Sequence, residues 1–140
     1  VKDADYWNTC IEEMRQLPSN VVVEYKGDLQ PSLVQATISK YDALILLTKG
    51  ENFGHALFES LSVGRPIITS FFTPWTNLQQ KKSGWNVDID DPKQIPVLLD
   101  QLAFMDGILW TQYCTNAHIL AKEYFYNQSN LLTSYSKLFV

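Results

Sequence analysis

Short apolar runs alternate with segments of helical periodicity along the chain, and this alternation constrains the fold more than any other feature. Strands are predicted over residues 21–25, 43–47, 66–70 and 85–89. The run at 43–47 is apolar at every position, which indicates a strand that is buried on both faces. Such strands, when helices separate them, predict a parallel sheet with helices on both sides. The predicted fold class is therefore α/β and Rossmann-like.

Helical spacing of apolar residues fills the intervals between the strands. Helices are predicted over residues 6–17, 31–40, 54–63, 74–82, 93–104 and 110–125, and a helical tail over 129–139. Pro31 stands near the start of the second helix and Gly64 closes the third, which are favoured positions for these residues. With 140 residues, no repeats and no linker, residues 1–140 are predicted to form one compact domain.

The composition argues against several classes of protein. The net charge is −4 and the largest basic cluster is Lys81-Lys82, which argues against a nucleic-acid surface because phosphate binding needs clustered cations. The longest apolar run is too short to cross a membrane. Cys10 and Cys114 lack metal or redox spacing and are interpreted as reduced packing residues. The first residues carry no secretory signal, and since the first is not Met the chain is expected to be a piece of a longer protein.

The turn after the 43–47 run is the predicted functional site, because ligands of open α/β sheets bind beyond the carboxyl ends of the strands. Gly50 and Gly54 permit a close approach between backbone and ligand. The helix that begins near Gly54 offers unpaired backbone N–H groups and the positive end of its dipole. These features suit a diphosphate.

Two acids, Glu51 and Glu59, lie on either side of this helix start. Glu59 lies one turn after His55 on the same helix face and points back toward the helix N-terminus, within reach of a ribose hydroxyl. Glu51 precedes the helix, where it can meet sugar hydroxyls. A second interpretation is open at this point, namely a solvated face on which His55 and Glu59 form a surface pair.

The longer string around these acids is Glu51-Asn52-Phe53-Gly54-His55-Ala56-Leu57-Phe58-Glu59-Ser60-Leu61, followed by Gly64-Arg65-Pro66-Ile67-Ile68-Thr69-Ser70. It resembles the signature of retaining GT-B glycosyltransferases of the family-four type (glycosyl transferases group 1). That signature has two glutamates separated by seven residues, a small-residue helix, then Gly, Pro and a buried strand. Thr73-Pro74-Trp75 and Ser83-Gly84-Trp85 are similar to a bacterial branch of the family, and the resemblance covers nearly the whole chain.

The resemblance implies a glycosyltransferase, of hexosyltransferase type, that transfers a sugar from a nucleoside-diphosphate sugar to an acceptor with retention, without a metal or another cofactor. The chain would be a partial C-terminal, donor-binding domain of a GT-B fold. Glu51 matches the glutamate that contacts the donor sugar at the reacting centre, and Glu59 matches the ribose-binding glutamate. The other implied positions are Asn52, Phe53, Gly54, His55 and Ala56 for the donor and Tyr25, Lys26 and Gly27 for a loop near the nucleobase.

The chain departs from the family pattern in two places. Thr48-Lys49 stands where many members have Pro-Ser. The strand, helix and strand that open the family's domain, with an Arg and a Lys that neutralise the diphosphate, would precede residue 1, and neither Lys2 nor Arg15 can replace those cations. Because clamping the leaving diphosphate contributes much of this chemistry, the fragment alone is expected to be inactive. Without those strands the 43–47 strand is expected to have a bare edge, covered either by the 21–25 strand or by a dimer.

The resemblance also implies a saccharide or lipid-linked acceptor, held by an N-terminal domain outside this chain. The implied setting is bacterial polysaccharide synthesis, in the cytoplasm or at the inner face of the membrane. The alternative is a non-catalytic α/β nucleotide-binding or signalling module, which needs a strand-end aspartate that only Asp88 and Asp90 offer. A nicotinamide dehydrogenase fits poorly, because no G-x-G-x-x-G follows a predicted strand.

Three further features have two interpretations each. Asp88, Asp90 and Asp91 are interpreted as strand-end and N-cap acids rather than as a metal site, since the spacing lacks the glycine and terminal glutamate of a calcium loop. Trp75 either walls the donor pocket or anchors a short helix. His118 is expected to be a packing or surface histidine.

Overall fold

The chain is seen here in a computed structural model, which describes the backbone of residues 3–136 and the side chains of residues 3–127. It divides into two compact units, Val1–Gln30 and Pro31–Val140. The described part of the first unit contains one helix, α1 (Ala4–Arg15), and is otherwise irregular. Asp3 caps α1, because its side chain accepts a hydrogen bond from the Tyr6 N–H at 2.9 Å.

The strand predicted over residues 21–25 is not formed. The segment is irregular and its side chains are exposed, Val22 to 80%. β-Branched residues favour a strand where a neighbouring strand supplies a hydrogen-bond ladder and a packed face, and the described part of the first unit contains no second strand. The predicted pairing of this segment with the 43–47 strand is therefore wrong as well.

The second unit holds a three-stranded parallel sheet in the order β1-β2-β3. Its strands are β1 (Leu44–Leu46), β2 (Ile67–Ser70) and β3 (Gly84–Val87). Ile68 on β2 pairs with Ile45 on one side and with Trp85 on the other. The predicted α/β class with a parallel sheet is confirmed, and each of these strands begins and ends within two residues of its predicted bounds.

Helices connect and cover these strands. They are α2 (Val34–Ile38) after a 3-10 turn at Pro31–Leu33, α3 (His55–Ser62), α4 (Leu78–Lys81), α5 (Gln94–Ala103) and α6 (Gly107–Ser136). The helix predicted over residues 74–82 is reduced to its last turn, since Asn77 adopts a left-handed conformation with φ 58° just before it. The helix predicted over 110–125 and the tail form one helix, because the polar residues between them include no Gly or Pro. Residues 137–139 of the predicted tail lie outside the described residues.

The two faces of the sheet pack against different helices. One face places Ile67 in a core with α3 and α6, formed by Leu57, Leu61, Ile67, Trp75, Leu78, Ala117, Leu120 and Ala121. The other face places Ile68 in a smaller core with α5, formed by Ile68, Trp85, Val87 and Leu98. Burying a single Leu or Ile side chain contributes about 1.5–3 kcal/mol to folding. The two cores therefore fix β2 as the central strand.

The outer edge of the sheet lies at β1. Within the described residues β1 pairs with β2 alone, and Ile45 is 43% exposed although its neighbour Ile68 is fully buried. An open apolar edge favours pairing with another chain. The dimer through this edge remains a prediction.

Both cysteines are free thiols. Burial raises the pKa of the Cys114 thiol, and the charge and hydrogen bond of nearby Arg65 offset part of that effect. This environment agrees with the interpretation of Cys114 as a packing residue. None of the helices in the described part of the chain combines the length and apolar character that crossing a bilayer requires.

At Gly84, β3 approaches the β2 backbone closely. A Cβ atom there would lie 2.1 Å from the Ile67 carbonyl oxygen, with φ at +155°. We expect Gly84→Ala to lower the free energy of unfolding by about 3 kcal/mol or more, because strand backbone has to move. Urea denaturation measures the loss, with Gly107→Ala as the control since a Cβ there meets no atom within 4 Å. Equal stability of the two variants would contradict the close approach of β2 and β3.

Candidate functional site

The loop between β1 and α3 leaves the carboxyl end of the sheet and carries most of the predicted site residues. It begins with a tight turn in which the Thr48 hydroxyl donates to the Gly50 carbonyl oxygen at 2.9 Å. The Gly50 N–H donates to the same hydroxyl oxygen at 3.2 Å. Side-chain hydrogen bonds of this kind form turns without help from distant residues. The local sequence therefore reverses the chain immediately after β1.

Glu51 follows this turn and is half-buried. Its backbone N–H donates to the Phe72 carbonyl oxygen at 3.1 Å, which ties it to the segment that follows β2. Its carboxylate oxygen accepts a long hydrogen bond, 3.5 Å, from the Phe53 N–H. The side chain is thus held beside the start of α3, and no described cation pairs with it.

The N-terminus of α3 is free of side-chain caps. Gly54 takes the cap position in a left-handed conformation with φ 75°, and no side chain accepts a hydrogen bond there. The first helical bond joins the Phe58 N–H to the Gly54 carbonyl oxygen at 3.0 Å. The N–H groups of His55 and Ala56 therefore remain available, and the helix dipole adds a partial positive charge. This is the geometry that favours an anion.

The two residues that could have formed a surface pair do not form one. His55 is exposed, and its ring lies edge-on to Phe53 with centroids 4.8 Å apart. The half-buried Glu59 carboxylate has no hydrogen-bond or ion-pair partner in the described part of the chain. Another face of α3 packs on the core, since Leu57 and Leu61 are fully buried and Phe58 packs on the same cluster. Glu59 thus stays available to a ligand.

Four hydrogen bonds join the end of β1 and the loop after it to the end of β2 and the segment after it, and we call this set the strand-end clamp. The Thr69 hydroxyl donates to the Leu46 carbonyl oxygen at 2.8 Å, and the Ser70 hydroxyl donates to that of Thr48 at 2.5 Å. The Glu51 N–H bond to Phe72 is the third. In the fourth, the Trp75 indole N–H donates to the Phe53 carbonyl oxygen at 2.7 Å. Three of the four donors are side chains of residues 69–75, so the clamp depends on their identity.

Sequence reasoning missed the clamp residues Thr69 and Ser70 and left the role of Trp75 open. Two adjacent hydroxyl residues at the carboxyl end of a buried strand were the available signal, because buried hydroxyls need hydrogen-bond partners. Trp75 is 3% exposed and packs among aromatic rings, with Tyr124 the nearest at 4.9 Å between centroids. It therefore anchors the loop rather than offering its ring to solvent.

The predicted nucleobase loop lies in the first unit. Tyr25 packs against Trp7 with centroids 4.7 Å apart, and Lys26 forms an ion pair with Glu24. That pairing lowers the pKa of the Glu24 carboxyl. Gly27 has a left-handed backbone conformation with φ 71°. The loop and the α3 site belong to different units, and its contact with a nucleobase remains a prediction.

The acids near β3 act within their own turn. The Asp88 carboxylate accepts from the Asp90 N–H at 3.0 Å, and the Asp91 carboxylate accepts from the Lys93 N–H at 3.3 Å. These bonds place the acids in the turn that follows β3. The N-cap of α5 is Lys93 and no side chain caps that helix, so the predicted N-cap role of Asp91 is wrong. No group of three or more His, Cys, Asp or Glu side chains with metal-binding geometry occurs among the described residues. On α6, the exposed His118 ring lies 2.8 Å from the Ser62 carbonyl oxygen, which fits a surface histidine.

The left-handed conformation of Gly54 generates a direct test of the site geometry. A Cβ atom there would lie 2.8 Å from a Leu57 methyl carbon and 3.2 Å from the Glu51 Cγ. We expect Gly54→Ala to lower the free energy of unfolding by about 1–3 kcal/mol and to displace Glu51. Urea denaturation gives the first value and amide NMR shifts of the loop give the second. The control is Gly50→Ala, since a Cβ there meets no atom; matching effects of the two variants would refute the proposed loop conformation.

Comparison with known proteins shows which known fold the chain shares. No protein-family model matches the sequence, and no curated protein sequence does. A solved structure, the C-terminal domain of a glycosyl transferase group 1 family protein (LpcC) from Francisella tularensis, superposes with a TM-score of 0.70 at 18% sequence identity. The match covers 89% of this chain and 64% of the other, so the chain spans about two-thirds of that domain's length. The chain therefore shares the fold of the C-terminal domain of that glycosyl transferase.

Proposed function

We propose that the chain is the donor-binding part of a glycosyltransferase that uses a nucleoside-diphosphate sugar. The observation that carries the proposal is the placement of Glu51 and Glu59 on either side of an uncapped helix N-terminus at the carboxyl end of β1. Ligands of open α/β sheets bind at this end. The fold that the chain shares with a glycosyl transferase domain supports the same activity.

The diphosphate of the donor would lie at the start of α3. The unpaired N–H groups of His55 and Ala56 would donate to its oxygens, and the helix dipole would stabilise their charge. Gly54 keeps the approach open because it has no side chain. Lys49 is exposed in the same loop and is the basic residue between β1 and α3. Charge stabilisation of the leaving diphosphate is the main contribution that the start of α3 would make to the reaction.

The two carboxylates would bind the two remaining parts of the donor, the ribose and the transferred sugar. Glu59 lies one helical turn after His55, so its carboxylate can accept hydrogen bonds from ribose hydroxyls while the phosphates occupy the helix start. Glu51 precedes the helix and would contact the sugar at the reacting centre, with Asn52 beside it in the same loop. We propose transfer with retention of configuration, with neither metal nor cofactor and of hexosyltransferase type.

The rest of the reaction depends on parts outside this chain. The acceptor, a saccharide or a lipid-linked saccharide, would be held by a second domain, and transfer would need further cations on the diphosphate. We therefore propose that the chain alone binds donor without catalysing transfer. A bacterial polysaccharide pathway, in the cytoplasm or at the inner face of the membrane, is the setting in which such a reaction fits.

Titration with UDP, GDP and ADP, followed by amide NMR, tests this proposal. We expect one nucleotide to shift the amides of Gly54, His55 and Ala56 selectively. Glu59→Gln is expected to weaken the binding of that nucleotide about tenfold or more, because hydrogen bonds to a charged group contribute about 1.5–3 kcal/mol. Glu123→Gln is the matched control, since it makes the same charge change at an exposed position on α6.

Two results would contradict the proposal. One is shifts confined to another surface of the second unit, which would favour the non-catalytic nucleotide-binding alternative. The other is the absence of shifts with all three nucleotides, both in this chain and in a longer protein that contains it. Equal effects of Glu59→Gln and Glu123→Gln would remove Glu59 from the site.

A further inference from the structure

The roles proposed for Glu51 and Glu59 do not explain the Thr73-Pro74-Trp75 segment, although the Trp75 indole N–H makes a short hydrogen bond to the loop. Trp75 lies 22 residues after Phe53 in sequence and donates to its carbonyl oxygen at 2.7 Å. The Phe53 carbonyl would be the acceptor for the Leu57 N–H if α3 began one residue earlier, since the first helical bond joins Phe58 to Gly54. The indole thus takes an acceptor that the helix does not use, at the boundary between loop and helix.

Glu51 lies between two bonds of the strand-end clamp. Its own N–H donates to the Phe72 carbonyl oxygen at 3.1 Å, and Trp75 holds the Phe53 carbonyl two residues later. Both partners come from the short segment that follows β2. A backbone fixed at two points so close together leaves the intervening residues little freedom, so the position of the Glu51 side chain follows from the clamp.

Trp75 is itself fixed on its other side. Its carbonyl oxygen accepts from the side-chain amide of Asn86 at 2.8 Å, and the Asn86 side-chain oxygen accepts from the Leu78 N–H at 3.1 Å. Asn86 is buried on β3. Trp75 therefore connects β3 to the loop, since its carbonyl oxygen accepts from Asn86 and its indole N–H donates to Phe53.

We propose that Trp75 is a positioning residue that holds Glu51 at the start of α3 for the donor sugar, an inference that rests on the proposed function. The indole N–H acts through the Phe53 carbonyl and touches no substrate. Its removal leaves the part-buried Phe53 carbonyl without this partner and frees the loop to move away from α3. Trp75 therefore determines how well the site is formed, whereas the two glutamates determine what it binds.

The test compares Trp75→Phe with Trp85→Phe in the 140-residue chain. Each variant replaces a buried indole with a phenyl ring, and Trp85, 8% exposed on the opposite face of the sheet, stacks on Tyr113 at 4.6 Å. Amide hydrogen exchange is followed by NMR without nucleotide, and the affinity for the nucleotide is then titrated. We expect Trp75→Phe to speed exchange of the Glu51 N–H about tenfold and to raise Kd about fivefold to tenfold. Trp85→Phe should change neither the exchange rate of the Glu51 N–H nor the Kd, even where it lowers global stability as much as Trp75→Phe does.

One measurement needs no variant, in case Trp75→Phe fails to fold. In the unchanged chain the indole N–H of Trp75 should exchange about tenfold more slowly than that of the half-buried Trp110, and nucleotide should slow it further. A Trp75 indole that exchanges as fast as that of Trp110 would overturn the proposal.

The outcomes separate this inference from the proposed function. Faster exchange confined to the loop, with weaker nucleotide binding in Trp75→Phe alone, supports it. Unchanged exchange at Glu51, or faster exchange with unaltered Kd, overturns it while the donor site stands. If no nucleotide binds either the unchanged chain or a longer protein that contains it, the proposed function fails, and the positioning role for a donor sugar fails with it, whatever the exchange rates show about the clamp.

Discussion

The burial of β2 on both faces is the constraint on which the second unit depends. Ile67 faces the core with α3 and α6, Ile68 faces the core with α5, and β1 and β3 occupy its two edges. A strand in this position can contribute no side chain to solvent, so its polar residues must find partners inside the protein. Thr69 donates to the carbonyl oxygen of Leu46 at the end of β1, and Ser70 donates to that of Thr48 just after the strand.

This requirement links the core to the candidate site. The hydroxyls that satisfy the end of β2 also hold the start of the loop that carries Glu51, and Trp75 holds its end. The loop is therefore an extension of the sheet rather than a free surface segment. A site built in this way is fixed before a ligand arrives, which lowers the entropy that binding has to overcome.

Local sequence patterns predicted the parts of the fold that local physics decides. The run at 43–47 and the α3 segment were found because apolar periodicity and Gly54 act within a few residues. The segment at 21–25 has the same β-branched character, but a strand also needs a partner, and residue preferences carry no information about one. The shortening of the 74–82 helix has a similar origin, since the chain before Leu78 is occupied by the hydrogen bonds of Trp75 and Asn86.

In the candidate site, too, the features that depend on neighbouring residues could be predicted, and those that depend on distant residues could not. The positions of Glu51, His55 and Glu59 around a helix start could be predicted, because they depend on sequence spacing within one loop and one helix. The contact between Trp75 and Phe53 joins residues far apart in the chain and leaves no periodic signal. A hydrogen bond from a side chain to a distant backbone carbonyl is visible in the folded structure alone.

The most direct test of the central claim is a crystal structure of the chain with a nucleoside diphosphate bound. We expect diphosphate oxygens about 2.7–3.2 Å from the backbone N–H groups of His55 or Ala56, and ribose hydroxyls that donate to the Glu59 carboxylate. A nucleotide bound elsewhere on the second unit, with the start of α3 empty, would contradict it.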